Sequence, residues 1–176
     1  MDPSPTLRSR LPTILLAGLV VCGIAALFWP TDRSRGEIAG GFLVDAAGRP
    51  APLGERLAPV TVVHFWATWC PPCITEIPAI LRLQKDFAAP GQLAVLLVAV
   101  SDSPEKVKTF LGGAAEQALF DPRWEVAHRY GTNQLPETYV LADGRVADKF
   151  VGATDWDAPE VRQRLRALIE SSRKRG

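Results

Sequence analysis

Hydrophobic positions along this chain fall into blocks of two periodicities. Val60 to Trp66 and Leu93 to Val100 are near-continuous apolar runs, the pattern of strands buried on both faces. Between them, Ile74 to Ala88 reads as a helix. Its residues Ile77, Leu81 and Ala88, with Ile80, Leu83 and Phe87, form a wide apolar face, and Pro78 in its interior predicts a kink. Ser103-Pro104-Glu105 opens another helix, with proline in the first turn and an acid near the N-terminus. Arg123 to Tyr130 is a short helix. Thr138 to Leu141 and Val146 to Val151 form a hairpin around Asp143-Gly144, a two-residue turn signal. Ala158 to Ser171 is a last helix, with Val161, Leu165, Leu168 and Ile169 on one face. Nearer the start, Phe42 to Val44 is a short strand followed by a turn at Asp45 to Gly48. The order strand, helix, strand, helix, hairpin, helix predicts an α/β domain built on a mixed sheet.

One further apolar block differs in kind. Leu11 to Trp29 carries no charge, and as a helix it would span about 28 Å, close to the thickness of a hydrocarbon core. Trp29 would stand at the interface. A cleaved signal peptide is the alternative, but Phe28-Trp29-Pro30-Thr31 lacks a small-x-small cleavage pattern. Val21, directly before Cys22, does not suit a lipoprotein signal either. The expected organisation is a short segment at 1–10, a transmembrane anchor at 11–29, a tether at 30–40, a globular domain at 41–172 and a basic tail at 173–176. If flexible, the tether reaches about 15–20 Å and keeps the domain near the membrane. Arg8 and Arg10 before the anchor balance Arg33 and Arg35 after it, so charge does not set its orientation. Length and composition fit one domain plus this segment: 176 residues, 47% hydrophobic, net charge +1. The near-neutral charge and the lack of a glycine-rich phosphate loop give no pointer to nucleic acid or nucleotide.

The chemistry lies in Trp69-Cys70-Pro71-Pro72-Cys73, at the junction between the first long strand and its helix. A cysteine at a helix N-terminus meets the positive end of the macrodipole and free backbone N–H groups, which favour thiolate over thiol. The thiolate is the form that attacks disulfides. The only other cysteine, Cys22, lies in the apolar N-terminal block. A four-ligand zinc site would therefore have half its sulfurs. Haem attachment would need histidine where Ile74 stands. A structural disulfide across so short a loop would add little stability. Dithiol–disulfide exchange is the reading that remains. Pro71 and Pro72 fix φ and remove two donors, which stiffens the ring and tunes its potential, and they also suit helix initiation.

This arrangement resembles the thioredoxin fold, and within it the membrane-anchored TlpA/ResA/DsbE(CcmG)-like thiol–disulfide oxidoreductases. The resemblance spans about Gly41 to Ile169. It is carried by Phe65-Trp66-Ala67-Thr68-Trp69-Cys70-Pro71-Pro72-Cys73, by Glu76 followed by Pro78, and by Leu135-Pro136-Glu137-Thr138. Asp143-Gly144 and Gly152 with Asp155-Trp156 complete it. It implies a thioredoxin-like α/β fold, a central mixed β-sheet flanked by helices. Cys70 is then the exposed nucleophile and Cys73 the resolving cysteine. Pro136 is the family's cis-proline, and the backbone of Leu135 pairs with an extended client segment. Trp69, with Pro71 and Pro72, belongs to the rim that meets the client. Glu76 is the family's acid near the site, with a raised pKa and the ability to exchange a proton with Cys73.

His64 departs from the family pattern, which has aspartate or asparagine there. It is either a proton shuttle to the resolving sulfur, titrating near neutrality unless burial lowers its pKa, or a neutral core histidine bonded to backbone. Trp66, Trp124 and Trp156 read as packing residues, and His128 as a surface helix residue.

By resemblance, the function is reduction of client disulfides outside the cytoplasm, in apocytochrome c or in copper-site proteins of terminal oxidases. A membrane-embedded donor would supply the electrons. The domain would stand on the periplasmic, outer side of the inner membrane, with no cofactor and no metal. Two other readings stay open: a copper-binding assembly factor with Cys70 and Cys73 as Cu(I) ligands, and a disulfide-forming oxidase.

Overall fold

β-Branched and aromatic side chains fill the central strand β1 (Val60–Trp66), which is buried along its whole length. The computed structural model describes residues 42–87 and 91–175. After β1 come helix α1 (Pro71–Asp86), strand β2 (Leu93–Val100), helix α2 (Pro104–Leu111), strand β3 (Ala118–Asp121) and helix α3 (Glu125–Arg129). The hairpin β4 (Glu137–Ala142) and β5 (Arg145–Val151) and helix α4 (Pro159–Arg173) follow. The sheet order is β3-β2-β1-β4-β5. β1 runs parallel to β2, and β2 to β3; β4 is antiparallel to both β1 and β5. This is the expected mixed sheet.

Alternation along β1 divides the core in two. Val62 and Trp66 face a cluster with Ile77, Ile80 and Leu83 of α1 and Leu165 of α4. Val63 and Phe65 face the opposite cluster, with Leu43, Val126, Tyr130 and Tyr139. His64 shares the α1 side, flanked in register by Leu97 of β2 and Thr138 of β4.

Several elements differ from expectation for local reasons. α1 starts at Pro71 rather than Ile74, because both prolines fit the first turn of a helix. It continues unbroken through Pro78, which is exposed. β3 was not expected: it has four residues, too few to show a period, and it forms because β2 offers an edge. Phe42 to Val44 is not a full strand. Val44 alone bridges to Pro50 and to Phe120 of β3. α4 runs two residues past Ser171, and beyond it the Arg175 guanidinium donates to Asp143 Oδ2 (2.9 Å), so this part of the tail is tied to the hairpin turn. The expected anchor at 11–29 and the tether at 30–40 lie outside the described residues. Among the described residues, no helix is long and apolar enough to cross a membrane.

Candidate active site

β1 ends beneath α1, and the turn between them carries the cysteines. Cys70 is the N-cap of α1, with Pro71 and Pro72 in the first turn. The two sulfurs are joined in a disulfide, with Cα atoms 5.3 Å apart. Cys73 is fully buried, and Cys70 keeps 5% exposure. The expected nucleophile is therefore the more accessible residue of the pair, yet far less open than expected, because both cysteines belong to the apolar cluster on the α1 side. Pro71 and Pro72 are exposed, and Trp69 is 55% exposed.

The loop before Cys70 is braced by the corner after β2. The Thr68 N–H and hydroxyl donate to the two Asp102 carboxylate oxygens (2.5 and 3.0 Å), and the Trp69 indole N–H donates to the Ser101 carbonyl (3.2 Å). Ser101 has a φ of 48°, a left-handed conformation that costs a side-chain-bearing residue energy. Its N–H donates to the Asp121 carbonyl. Neither Ser101 nor Asp102 is evident as a site residue from sequence. The available signal is their position directly after a strand parallel to β1.

The Leu135–Pro136 peptide bond is cis. Glu137 pairs in register with Phe65, so Pro136 stands at the end of the sheet from which the Thr68–Cys70 loop emerges. Its carbonyl accepts from the Gly152 N–H (2.9 Å). Leu135 is half-buried and packs against both core clusters. Glu137 points to the other face of the sheet, where it accepts from the Tyr139 hydroxyl (3.1 Å) and pairs with Lys149 (3.2 Å).

On the same side of the sheet as the disulfide lie the two ionisable side chains singled out above. Glu76 is one turn along α1 from Cys73, on the same face, and is 6% exposed. Its Oε2 accepts from the Thr154 N–H (2.9 Å) and the Trp156 indole N–H (2.7 Å). Burial pushes the Glu76 pKa up, and these two hydrogen bonds partly offset it. Trp156, expected as packing only, is both: it is fully buried against Phe150 and it holds the acid. An open cleft lined by Pro72, Thr75 and Ala79 of α1 and by Ala153, Thr154 and Asp155 leads to Glu76.

His64 is fully buried, with Nδ1 2.8 Å from the Thr138 hydroxyl. Burial pushes its pKa down to about 3. It is therefore neutral near pH 7, which removes the titration near neutrality, and its partner is a side chain rather than backbone. Its Nε2 lies 3.8 Å from Glu76 Oε1, too far for a hydrogen bond, and with a neutral imidazole this is no ion pair. Elsewhere, Trp66 is buried core, Trp124 is half-buried, and the exposed His128 stacks on Trp124.

Cys70, Cys73, Glu76 and His64 thus converge on one end of the sheet, with Trp69 and the Leu135–Pro136 loop emerging there too. Comparison with known proteins bears on the family and the fold. The sequence profile of the Redoxin family matches residues 42–165. The chain is 28% identical to the thiol:disulfide interchange protein HelX of Rhodobacter capsulatus, over 81% of this chain and 85% of that protein. It is 29% identical to the thiol:disulfide interchange protein DsbE homolog of Paracoccus denitrificans, over 80% and 85%. The crystal structure of a thioredoxin-family thiol:disulfide interchange protein from Chlorobium tepidum superposes with a TM-score of 0.61 at 24% identity, covering 77% of this chain and 97% of that one, which supports the fold. With a closed Cys70–Cys73 pair capping α1 on that fold, the chain belongs to the Redoxin family as a thiol–disulfide oxidoreductase of thioredoxin type.

Proposed function

We propose that this protein is a membrane-tethered reductant of disulfides in client proteins outside the cytoplasm. The observation that carries the exchange chemistry is the Cys70–Cys73 disulfide at the N-cap of α1. The client's disulfide is attacked by the Cys70 thiolate, and one client sulfur leaves. Cys73 then gives its proton to the Glu76 carboxylate and attacks Cys70, which releases the second client thiolate and closes the Cys70–Cys73 disulfide. A dithiol donor in the membrane reopens that disulfide. Trp69, Pro71 and Pro72 meet the client at the rim, and Leu135, beside cis Pro136, pairs with its backbone. The client class rests on the resemblance, in which Pro136-Glu137-Thr138 leans toward apocytochrome c, with copper-site proteins as the other class. The anchor at 11–29 and the outward-facing domain rest on the sequence and the same resemblance.

Cys73→Ala is the direct test. It removes the resolving sulfur and leaves Cys70 joined to whatever it attacks. Apocytochromes recovered in the mixed disulfide, identified by mass spectrometry, support the cytochrome c role. A copper-centre subunit or its chaperone moves the protein to oxidase assembly, and a broad set of secreted proteins defeats the dedicated-client reading.

A further inference from the structure

Two buried polar atoms face one another on the α1 side of the sheet, the side that also holds the disulfide. His64 Nε2 and Glu76 Oε1 are 3.8 Å apart, and neither has a hydrogen-bond partner among the described residues. The other polar atom of each side chain is committed: His64 Nδ1 to Thr138, and Glu76 Oε2 to Thr154 and Trp156. Because Oε2 already accepts from two N–H donors, Oε1 is the oxygen that carries the proton when the carboxyl is neutral. Each bare buried polar atom carries the full cost of its lost hydration. One O–H···N hydrogen bond satisfies both once side-chain rotation closes the 3.8 Å gap to hydrogen-bond length. A carboxylate beside an imidazolium would instead place two charges where side-chain exposure is 0% and 5%, at a heavy desolvation cost.

We propose that His64 is a positioning residue for Glu76: while the Cys70–Cys73 disulfide is closed, Glu76 Oε1–H donates to His64 Nε2, and His64 Nδ1–H donates to the Thr138 hydroxyl. This rests on the exchange chemistry proposed above and adds a holder for its proton. Among the described residues, the loop after β5 supplies Asp155 at the cleft mouth, and α1 supplies Cys70 and Cys73, which titrate only once the disulfide is open. β2 and β4 place Leu97 and Thr138 beside His64, and α4 contributes the apolar Val161, Leu165 and Leu168 to this side.

When a dithiol donor reopens the disulfide, its first thiolate bonds to Cys70 and the Cys70–Cys73 bond breaks. The electron pair goes to the Cys73 sulfur, which takes the proton from Glu76 Oε1 and leaves a carboxylate. The donor's second thiolate then displaces Cys70 as a thiolate. The donor is oxidised to its disulfide, and its two protons go to the medium.

Nitrogen-15 NMR of the histidines and carbon-13 NMR of the glutamate carboxyls, on the full chain, test this. The chain has two histidines, and the exposed His128 gives the reference signal; Glu76→Gln identifies the Glu76 carboxyl resonance. At about pH 7 the oxidised chain is expected to show His64 protonated on Nδ1 alone and Glu76 at the shift of a protonated carboxyl. After reduction by dithiothreitol, Glu76 moves to the carboxylate shift and His64 stays neutral. A His64 protonated on Nε2, an imidazolium, an ionised Glu76 in the oxidised chain, or a Glu76 still protonated after reduction each overturns the proposal. The underlying exchange chemistry is checked separately, by whether the reduced chain reduces insulin. A chain that reduces insulin but shows the wrong tautomer loses this inference alone.

Discussion

Placing His64 and Glu76 out of water gives them opposite effects on stability as pH changes. The His64 pKa falls from 6.5 to about 3 on folding. The unfolded chain therefore binds more protons in that window, and the contribution of neutral His64 is full above about pH 6.5 and lost as pH falls toward 3. A shift of that size corresponds to about 5 kcal/mol at the acid limit. Glu76 shifts upward from 4.5. The folded chain binds its proton more tightly, so its contribution is present below about pH 4.5 and is lost as pH rises through the folded value. The two single variants separate these slopes. In urea unfolding from about pH 4 to 8, Glu76→Gln, which keeps an oxygen for Thr154 and Trp156, is expected to gain on wild type as pH rises. His64→Asn is expected to flatten the loss on the acid side. Parallel pH curves for all three proteins would remove burial as the cause.

Between elements, the contacts that shape the site join residues far apart in sequence, and this sets what the sequence could reveal. The strands β1, β2, β4 and β5 and the helix carrying the cysteines were legible because each has a strong apolar period or a turn signal. β3, four residues long, was not, and neither was the Asp102 brace on Thr68. Trp156 could be recognised as buried, but its bond to Glu76 depends on how the loop after β5 lies over α1. Thr138 becomes visible as the partner of His64 only once β1 and β4 are set in register. The cysteines were legible because their spacing is local to one strand–helix junction, and Glu76 only through the family resemblance. The brace makes a prediction of its own. Asp102→Ala removes the acceptor for Thr68 N, Thr68 Oγ1 and Ser103 N. It should cost about 2 kcal/mol of stability and loosen the Trp69 loop. With a protein substrate such as insulin KM should rise, while the rate with a small aromatic disulfide stays near wild type. An equal loss with both substrates would show that the brace serves folding alone.

Across the whole molecule, the site gathers at one end of the sheet: the loops after β1, β2 and β5 and the loop before β4 all meet there. The opposite end is built separately. There Val60 pairs with Ala142, the Asp143 N–H donates to the Pro59 carbonyl, and Arg175 reaches Asp143. The C-terminal part of the chain thus stands away from Cys70, which permits a simple topology test. Alkaline phosphatase fused after Gly176 is expected to be active in cells and to sediment with membranes. An inactive, soluble fusion would defeat the proposed location. The hairpin turn at that same far end has a further use as an engineering handle. Asp143 and Gly144 already adopt positive φ, at 51° and 75°, in a tight surface turn whose residues carry none of the chemistry. Exposed turns of this kind accept inserted chain most readily. A fluorescent or affinity module grafted between Asp143 and Gly144 should leave the rate of insulin reduction within about twofold of wild type, since no group at Cys70 has to move. Such a graft would let a working copy be followed in the cell and recovered with its client attached, leaving both ends of the chain unmodified.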